Sequence, residues 1–168
     1  TVTPEPTEKP SAQFKDELSG HWAQEELTYL VDNGIVNGSD GTLNLTGETT
    51  RAEFTKMILK AMDIQPVSYN GVFSDVSADD WYAGYLQAAA DAGIMQGFDG
   101  KASPNAQITR EEAVKIMLTA MKIEPKESDL TFADTKQISD WARPFIGTAV
   151  NMGLIQGMED NTLRPKDH

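Results

Sequence analysis

The chain has 168 residues, a net charge of −12 and 39% hydrophobic residues, a balance that suits a folded domain with a core of its own. Such acidity argues against nucleic acid or an anionic membrane surface as partner, because both demand dense basic patches. There is no cysteine and there are only two histidines, which removes disulfides, thiolate chemistry and histidine metal clusters, and no apolar run approaches the ~20 residues of a membrane span.

Residues 1–13 read as a linker, because their Pro, Thr and Glu leave too little apolar surface to order the segment. Thr/Pro/Glu linkers commonly join extracellular modules, so the segment tilts the reading outward.

From residue 14 the chain repeats itself. Phe14, Asp16, Trp22, Gly34, Gly38, Thr50, Arg51 and Ile64 recur 59 residues later as Phe73, Asp75, Trp81, Gly93, Gly97, Thr109, Arg110 and Ile123. A third copy opens with Phe132, Asp134, Trp141, Gly153 and Gly157. The units are therefore 14–72, 73–131 and 132–168, and function is to be sought at recurring positions rather than in one asymmetric pocket.

Each copy predicts helix, loop, capped helix. After the aromatic-x-Asp opening, Trp22, Leu27, Leu30 and Val31, then Trp81, Tyr85, Leu86 and Ala89, follow helical spacing. Gly34, Gly93 and Gly153 suit the left-handed position that ends such a helix. Asp40-Gly41 and Asp99-Gly100 predict tight turns, with Asp160-Asn161 at the same place in the third copy. The second helix begins at a Thr-x-x-Glu capping box, Thr50 with Glu53 and Thr109 with Glu112. Phe54, Met57, Ile58 and Met62, and Ala113, Ile116, Met117 and Met121, then form an apolar stripe. One hairpin cannot bury its own stripe, so the copies must pack together. With Pro165 aligned to Pro104, His168 stands opposite Gln107, so the third copy stops before its own capped helix.

These features together resemble the S-layer homology family, through Phe-x-Asp, the Trp-led helix, Gly-Ile-x-x-Gly at 34–38 and 93–97, and Thr-Arg-Ala-Glu at 50–53. Thr109-Arg110-Glu111-Glu112 departs mildly from the usual motif, and the likeness covers residues 14–168. The resemblance implies an all-α, pseudo-threefold domain of tandem helix-loop-helix repeats around a central helical bundle. It implies an extracellular cell-wall anchor of a Gram-positive-type bacterium, whose partner is a pyruvylated cell-wall polysaccharide bound in grooves between repeats. The motif arginines, here Arg51 and Arg110, and groove-lining aromatic residues are implicated.

Chemistry supports that assignment. A guanidinium beside the positive end of a helix offers a carboxylate a two-pronged donor, which Lys could not match. The capping Glu reaches toward the cap amide, so the Arg is expected to be left available to ligand. The plainer readings stand beside this one: a motif Arg can be a solvated charge or a local ion pair. Trp22, Trp81 and Trp141 are either core anchors or groove walls. Asp16, Asp75 and Asp134 either organise loops or touch sugar hydroxyls, and Tyr82 and Phe98 can widen a groove wall. Thr50, Glu53, Thr109 and Glu112 are structural caps.

No cofactor, metal site or catalytic residue is expected. Setting Gly41 at the sixth position of an EF-hand loop puts Val36 and Gly38 where acidic ligands belong. The recurring acids have structural places, not those of a hydrolase pair, and no His is placed for a Ser-His-Asp site. The rival reading is a self-assembly module, associating through the incomplete third repeat.

Overall fold

A computed structural model describes residues 9–168, so residues 1–8 of the expected linker lie outside what is described. The chain divides into two compact units, 1–47 and 48–168. Among the described residues the regular structure is helical and no β-strand forms.

In the first unit a 3-10 turn, Pro10–Phe14, leads into α1 (Lys15–Leu18) and then α2 (Gln24–Asp32). This corrects the linker boundary: the stretch just before Phe14 is helical, since Pro10 at the first position presets the required φ. The Ser11 amide also donates to Asp32 Oδ1 at 3.0 Å, tying the stretch to the end of α2. Phe14, Leu18 and Val31 form the core, with Leu27, Val36 and Leu43 against them.

The second unit holds α3 (Arg51–Ala61), α4 (Ala83–Asp91), α5 (Arg110–Ala120) and α6 (Arg143–Asn151). Both capping boxes form: the Thr50 and Thr109 hydroxyls accept the amides of Glu53 and Glu112, whose carboxylates accept the threonine amides. The first helices end as expected, with Gly34, Gly93 and Gly153 at φ 67°, 70° and 71°.

Helix α3 packs on α4, α5 on α6, and α3 on α5. The packing pair is thus the capped helix of one copy with the first helix of the next, and it crosses the boundaries at 72/73 and 131/132. Leu59, Phe73, Leu86, Ala89 and Ile116 centre one core; Leu118, Ile138, Ile146, Ala149 and Leu163 centre the other. The predicted stripe is displaced. In α3 the buried residues are Ala52, Thr55 and Leu59, while Phe54 and Ile58 are half-buried and Met62 is exposed. A helix gripped by two neighbours buries a broad front, which a single amphipathic stripe does not describe. Thr55 is tolerated there because its hydroxyl donates to the Arg51 carbonyl at 2.7 Å.

The recurring Phe and second Gly belong together. A Cβ on Gly97 would lie 2.4 Å from the Lys101 carbonyl oxygen and 2.8 Å from the Phe73 ring. Gly38 meets Phe14 and Gly157 meets Phe132 in the same way, so each ring seals the turn of its own copy.

Candidate functional site

The site is built from the N-terminal turns of the capped helices. The Arg51 and Ala52 amides donate to the carbonyls of Ala106 and Pro104, and the Arg110 and Glu111 amides donate to those of Asp167 and Pro165. With the third amide taken by the threonine hydroxyl, the exposed donors of the helix start are used up within the protein. An arriving anion therefore meets the arginine side chain rather than backbone amides, contrary to the help expected from the helix terminus.

Arg51 is only 14% exposed. Its Nε donates to the Ala102 carbonyl at 2.9 Å and its Nη1 to Glu112 Oε1 at 2.6 Å. This corrects the expectation of an available arginine. The capping Glu of the same copy, Glu53, does turn away to the Thr50 amide, but the capping Glu of the next copy takes its place. Glu112 serves twice, because its other oxygen accepts the Thr109 amide at 3.0 Å. Two of the five guanidinium donors are engaged among the described residues, so the outer donors can still meet a carboxylate.

Around Arg51 lies an open groove of about 370 Å³, lined by Ile94–Phe98, Glu112, Lys115, Ile116 and Trp141. It draws on three successive copies: Arg51 from the first, the 94–98 segment and Lys115 from the second, Trp141 from the third. Lys115 Nζ sits 5.2 Å from the centre of the Trp141 ring. Counting Arg51, Lys115 and Glu112, the groove lining carries one net positive charge in a chain of −12.

The lysine was missed in the sequence, although it recurs. Lys56, 59 residues earlier, places Nζ 5.0 Å from the Trp81 ring and 5.8 Å from that of Tyr85. Desolvation lowers the Lys56 pKa below the ordinary lysine value, with Lys60 adding to the effect and Glu53 opposing it. A lysine five positions after each motif arginine, set against the tryptophan of the next copy, is thus a repeated device, and its signal was the repeat itself.

Arg110 occupies a different setting. Its Nε donates to the Leu163 carbonyl at 3.0 Å, the counterpart of the Arg51–Ala102 bond. Its hollow, about 160 Å³, is otherwise apolar, lined by Phe54, Ala113, Val114, Met117, Ile146, Leu154, Ile155 and Leu163.

The tryptophans are surface residues: Trp22 is 91% exposed, Trp81 54% and Trp141 44%. Each stands before the helix it was expected to lead, and the residue after it, Ala23, Tyr82 or Ala142, is buried instead. Tyr82 is therefore a core residue, and burial raises its phenol pKa. Trp141 lines the Arg51 groove, as does Phe98.

The aspartates hold turns. Asp75 Oδ1 and Oδ2 accept the amides of Ala102 and Ser103 at 2.9 and 2.8 Å. Asp134 does the same for Leu163 and Arg164, both at 2.8 Å. In the first copy Asp16 is exposed, and Glu17 accepts the Leu43 amide instead. Desolvation alone would raise the Asp75 pKa, but the two amides, aided by Lys101, hold it below the ordinary carboxylate value. Asp160 is lowered to about 2 by the Thr162 hydroxyl and by Arg164.

Comparison with known proteins bears on this geometry. The family described as S-layer homology domain matches residues 13–55, 72–114 and 131–168. An amylopullulanase of Thermoanaerobacterium thermosulfurigenes is 40% identical over 157 residues, covering 90% of this chain and 8% of that protein. An exoglucanase of Acetivibrio thermocellus is 41% identical over 164 residues, 94% of this chain and 15% of the enzyme. The surface-layer 125 kDa protein of Lysinibacillus sphaericus is 35% identical over 156 residues, 90% of this chain and 13% of that protein. The chain thus spans less than a sixth of the length of each of these three relatives.

Proposed function

Because this chain belongs to the S-layer homology domain family, we propose that it holds its parent protein non-covalently on a bacterial cell wall by binding an acidic wall polysaccharide. The same module accompanies relatives with the names of different enzymes and of a surface-layer protein, and it makes up a small part of each. A part shared by such unlike proteins suits attachment to the outer surface better than catalysis.

The observation that carries this reading is the convergence of Arg51, Lys115 and Trp141, from three copies, on one groove. The ligand group that fits is a carboxylate on an otherwise neutral sugar, such as a ketal-linked pyruvate. The outer guanidinium donors and the lysine ammonium receive the carboxylate, while the indole face lies against pyranose C–H groups. Arg51 is fixed in advance by Ala102 and Glu112, so little side-chain freedom is lost on binding. A single excess positive charge favours a short acidic epitope over a dense polyanion, which the acidic surface of the chain repels.

Calorimetric titration of the chain with native polymer and with chemically depyruvylated polymer tests this. Binding to the first and none to the second is expected. Equal binding to both would remove the carboxylate from the account. Self-association of the chain that proceeds without polymer, and that survives Arg51→Ala, would favour the assembly module instead.

A further inference from the structure

We propose that Asn37 is a self-modification site, where the chain converts its own side-chain amide to isoaspartate and so unseals the turn of the first copy. The reaction needs only water and stands apart from the glycan reading above.

Three asparagines precede a glycine: Asn33, Asn37 and Asn70. In such a pair the glycine nitrogen, shielded by no Cβ, can attack the carbonyl carbon of the asparagine side chain, one source of asparagine's thermal lability. A C–N bond forms, the bond to the side-chain nitrogen breaks, and ammonia leaves with the proton of the glycine amide. Water then opens either C–N bond of the cyclic imide, giving aspartate or isoaspartate.

The three pairs differ in their freedom to react. At the first, the Gly34 amide donates to the Val31 carbonyl at 2.9 Å and Asn33 Nδ2 to the Tyr29 carbonyl at 2.8 Å. Asn70 is pinned by its own amide, which donates to Gln87 Oε1 at 3.1 Å. Asn37 and Gly38 are exposed, lie outside any helix and make no hydrogen bond among the described residues. The other copies carry Gln96 and Gln156 at this position, whose longer side chain would have to close a larger, slower ring. The chemistry thus belongs to the first copy.

The fold tolerates an altered backbone poorly at that point. A Cβ on Gly38 would lie 2.6 Å from the Thr42 carbonyl oxygen and 2.8 Å from the Phe14 ring. Isoaspartate routes the main chain through the former side chain, adding one backbone carbon immediately before this glycine. Phe14, 2% exposed and in one core with Leu18 and Val31, must then give way, or the Ser39–Thr42 turn must open.

Ageing the full chain at mildly alkaline pH in heavy-oxygen water, followed by peptide mass spectrometry, tests the assignment. Label should enter at Asn37 first, as isoaspartate in excess over aspartate. Asn33 should lag by roughly tenfold or more, because two hydrogen bonds must open there. Aged protein should lose amide-exchange protection across residues 14–36. Asn37→Gln, which installs the residue of the other copies, should take up no label there and keep its protection. Freshly prepared Asn37→Asp, which adds the charge without the extra backbone carbon, should keep its protection as well. Modification of Asn33 or Asn70 ahead of Asn37 would overturn the site. Label at Asn37 with protection unchanged, or an equal loss in Asn37→Asp, would overturn the unsealing.

Discussion

Arg51 and Glu112 are 61 positions apart in the chain, and their side chains meet at 2.6 Å. Each belongs to the capping turn of its own helix, so one ion pair joins the starts of α3 and α5 and forms one wall of the groove. The pair holds the guanidinium in place and also offsets its charge.

That double role gives opposite expectations for fold and ligand. Glu112→Gln keeps a side chain that can cap but removes the competing charge. Stability should fall by about 1 kcal/mol, the usual worth of a hydrogen bond. Affinity for an acidic glycan should rise roughly twofold to fivefold, as expected from an offset of ~0.5–1 kcal/mol. Titration beside thermal unfolding measures both. Weaker binding would mean that Glu112 chiefly positions Arg51.

Gly97 and Gly93 both have positive φ but differ in surroundings. A Cβ at Gly93 meets nothing within 4 Å, whereas at Gly97 it strikes the Lys101 carbonyl oxygen and the Phe73 ring. Gly93→Ala should cost only the ~1–2 kcal/mol of a left-handed alanine. Gly97→Ala should cost clearly more, because backbone must move. Equal losses in denaturant unfolding would contradict the Phe–Gly seal.

Acid should loosen the turns. The folded-state pKa of Asp75 is depressed, and that of Asp160 lies at about 2, against an ordinary 3.8. Their contribution is fully present above the ordinary value and is lost as pH falls through it toward the folded one. Unfolding free energy should therefore decline from pH 5 to pH 2. Asp75→Asn should start about 1 kcal/mol lower at pH 7 and decline less steeply. An identical pH slope in the variant would remove Asp75 from the explanation.

Glu111, where the first copy has Ala52, is 3% exposed and accepts the Ser139 amide and hydroxyl and the Lys166 ammonium. Ser139 immediately precedes the turn that carries Trp141. Glu111→Ala should cost about 1–3 kcal/mol through the unsatisfied donors, and it should weaken glycan binding by loosening Trp141. Thermal unfolding with titration checks both, and unchanged stability would contradict this account.

Local features of this chain were legible in its sequence, and long-range ones were not. The capping boxes at Thr50 and Thr109, the glycines that end the first helices and the Asp-Gly turns follow from chemistry within a few residues. The Lys56 and Lys115 device was also visible, as a recurrence at the repeat spacing. Two things were hidden. The partner of Arg51 lies in the next copy, and no local rule separates an arginine left to solvent from one held by a distant capping glutamate. The tryptophans are amphipathic enough to serve in core or groove, and only packing shows that Ala23, Tyr82 and Ala142 fill the buried places beside them.

The central claim is that the groove of Arg51, Lys115 and Trp141 receives an acidic saccharide. The most direct measurement follows the Trp141 indole N–H resonance as a ketal-pyruvylated methyl glycoside is added. The account predicts a saturable shift at Trp141 that disappears in a folded Arg51→Ala protein. A glycoside that binds to saturation while Trp141 stays unmoved, or a shift that survives loss of Arg51, would contradict it.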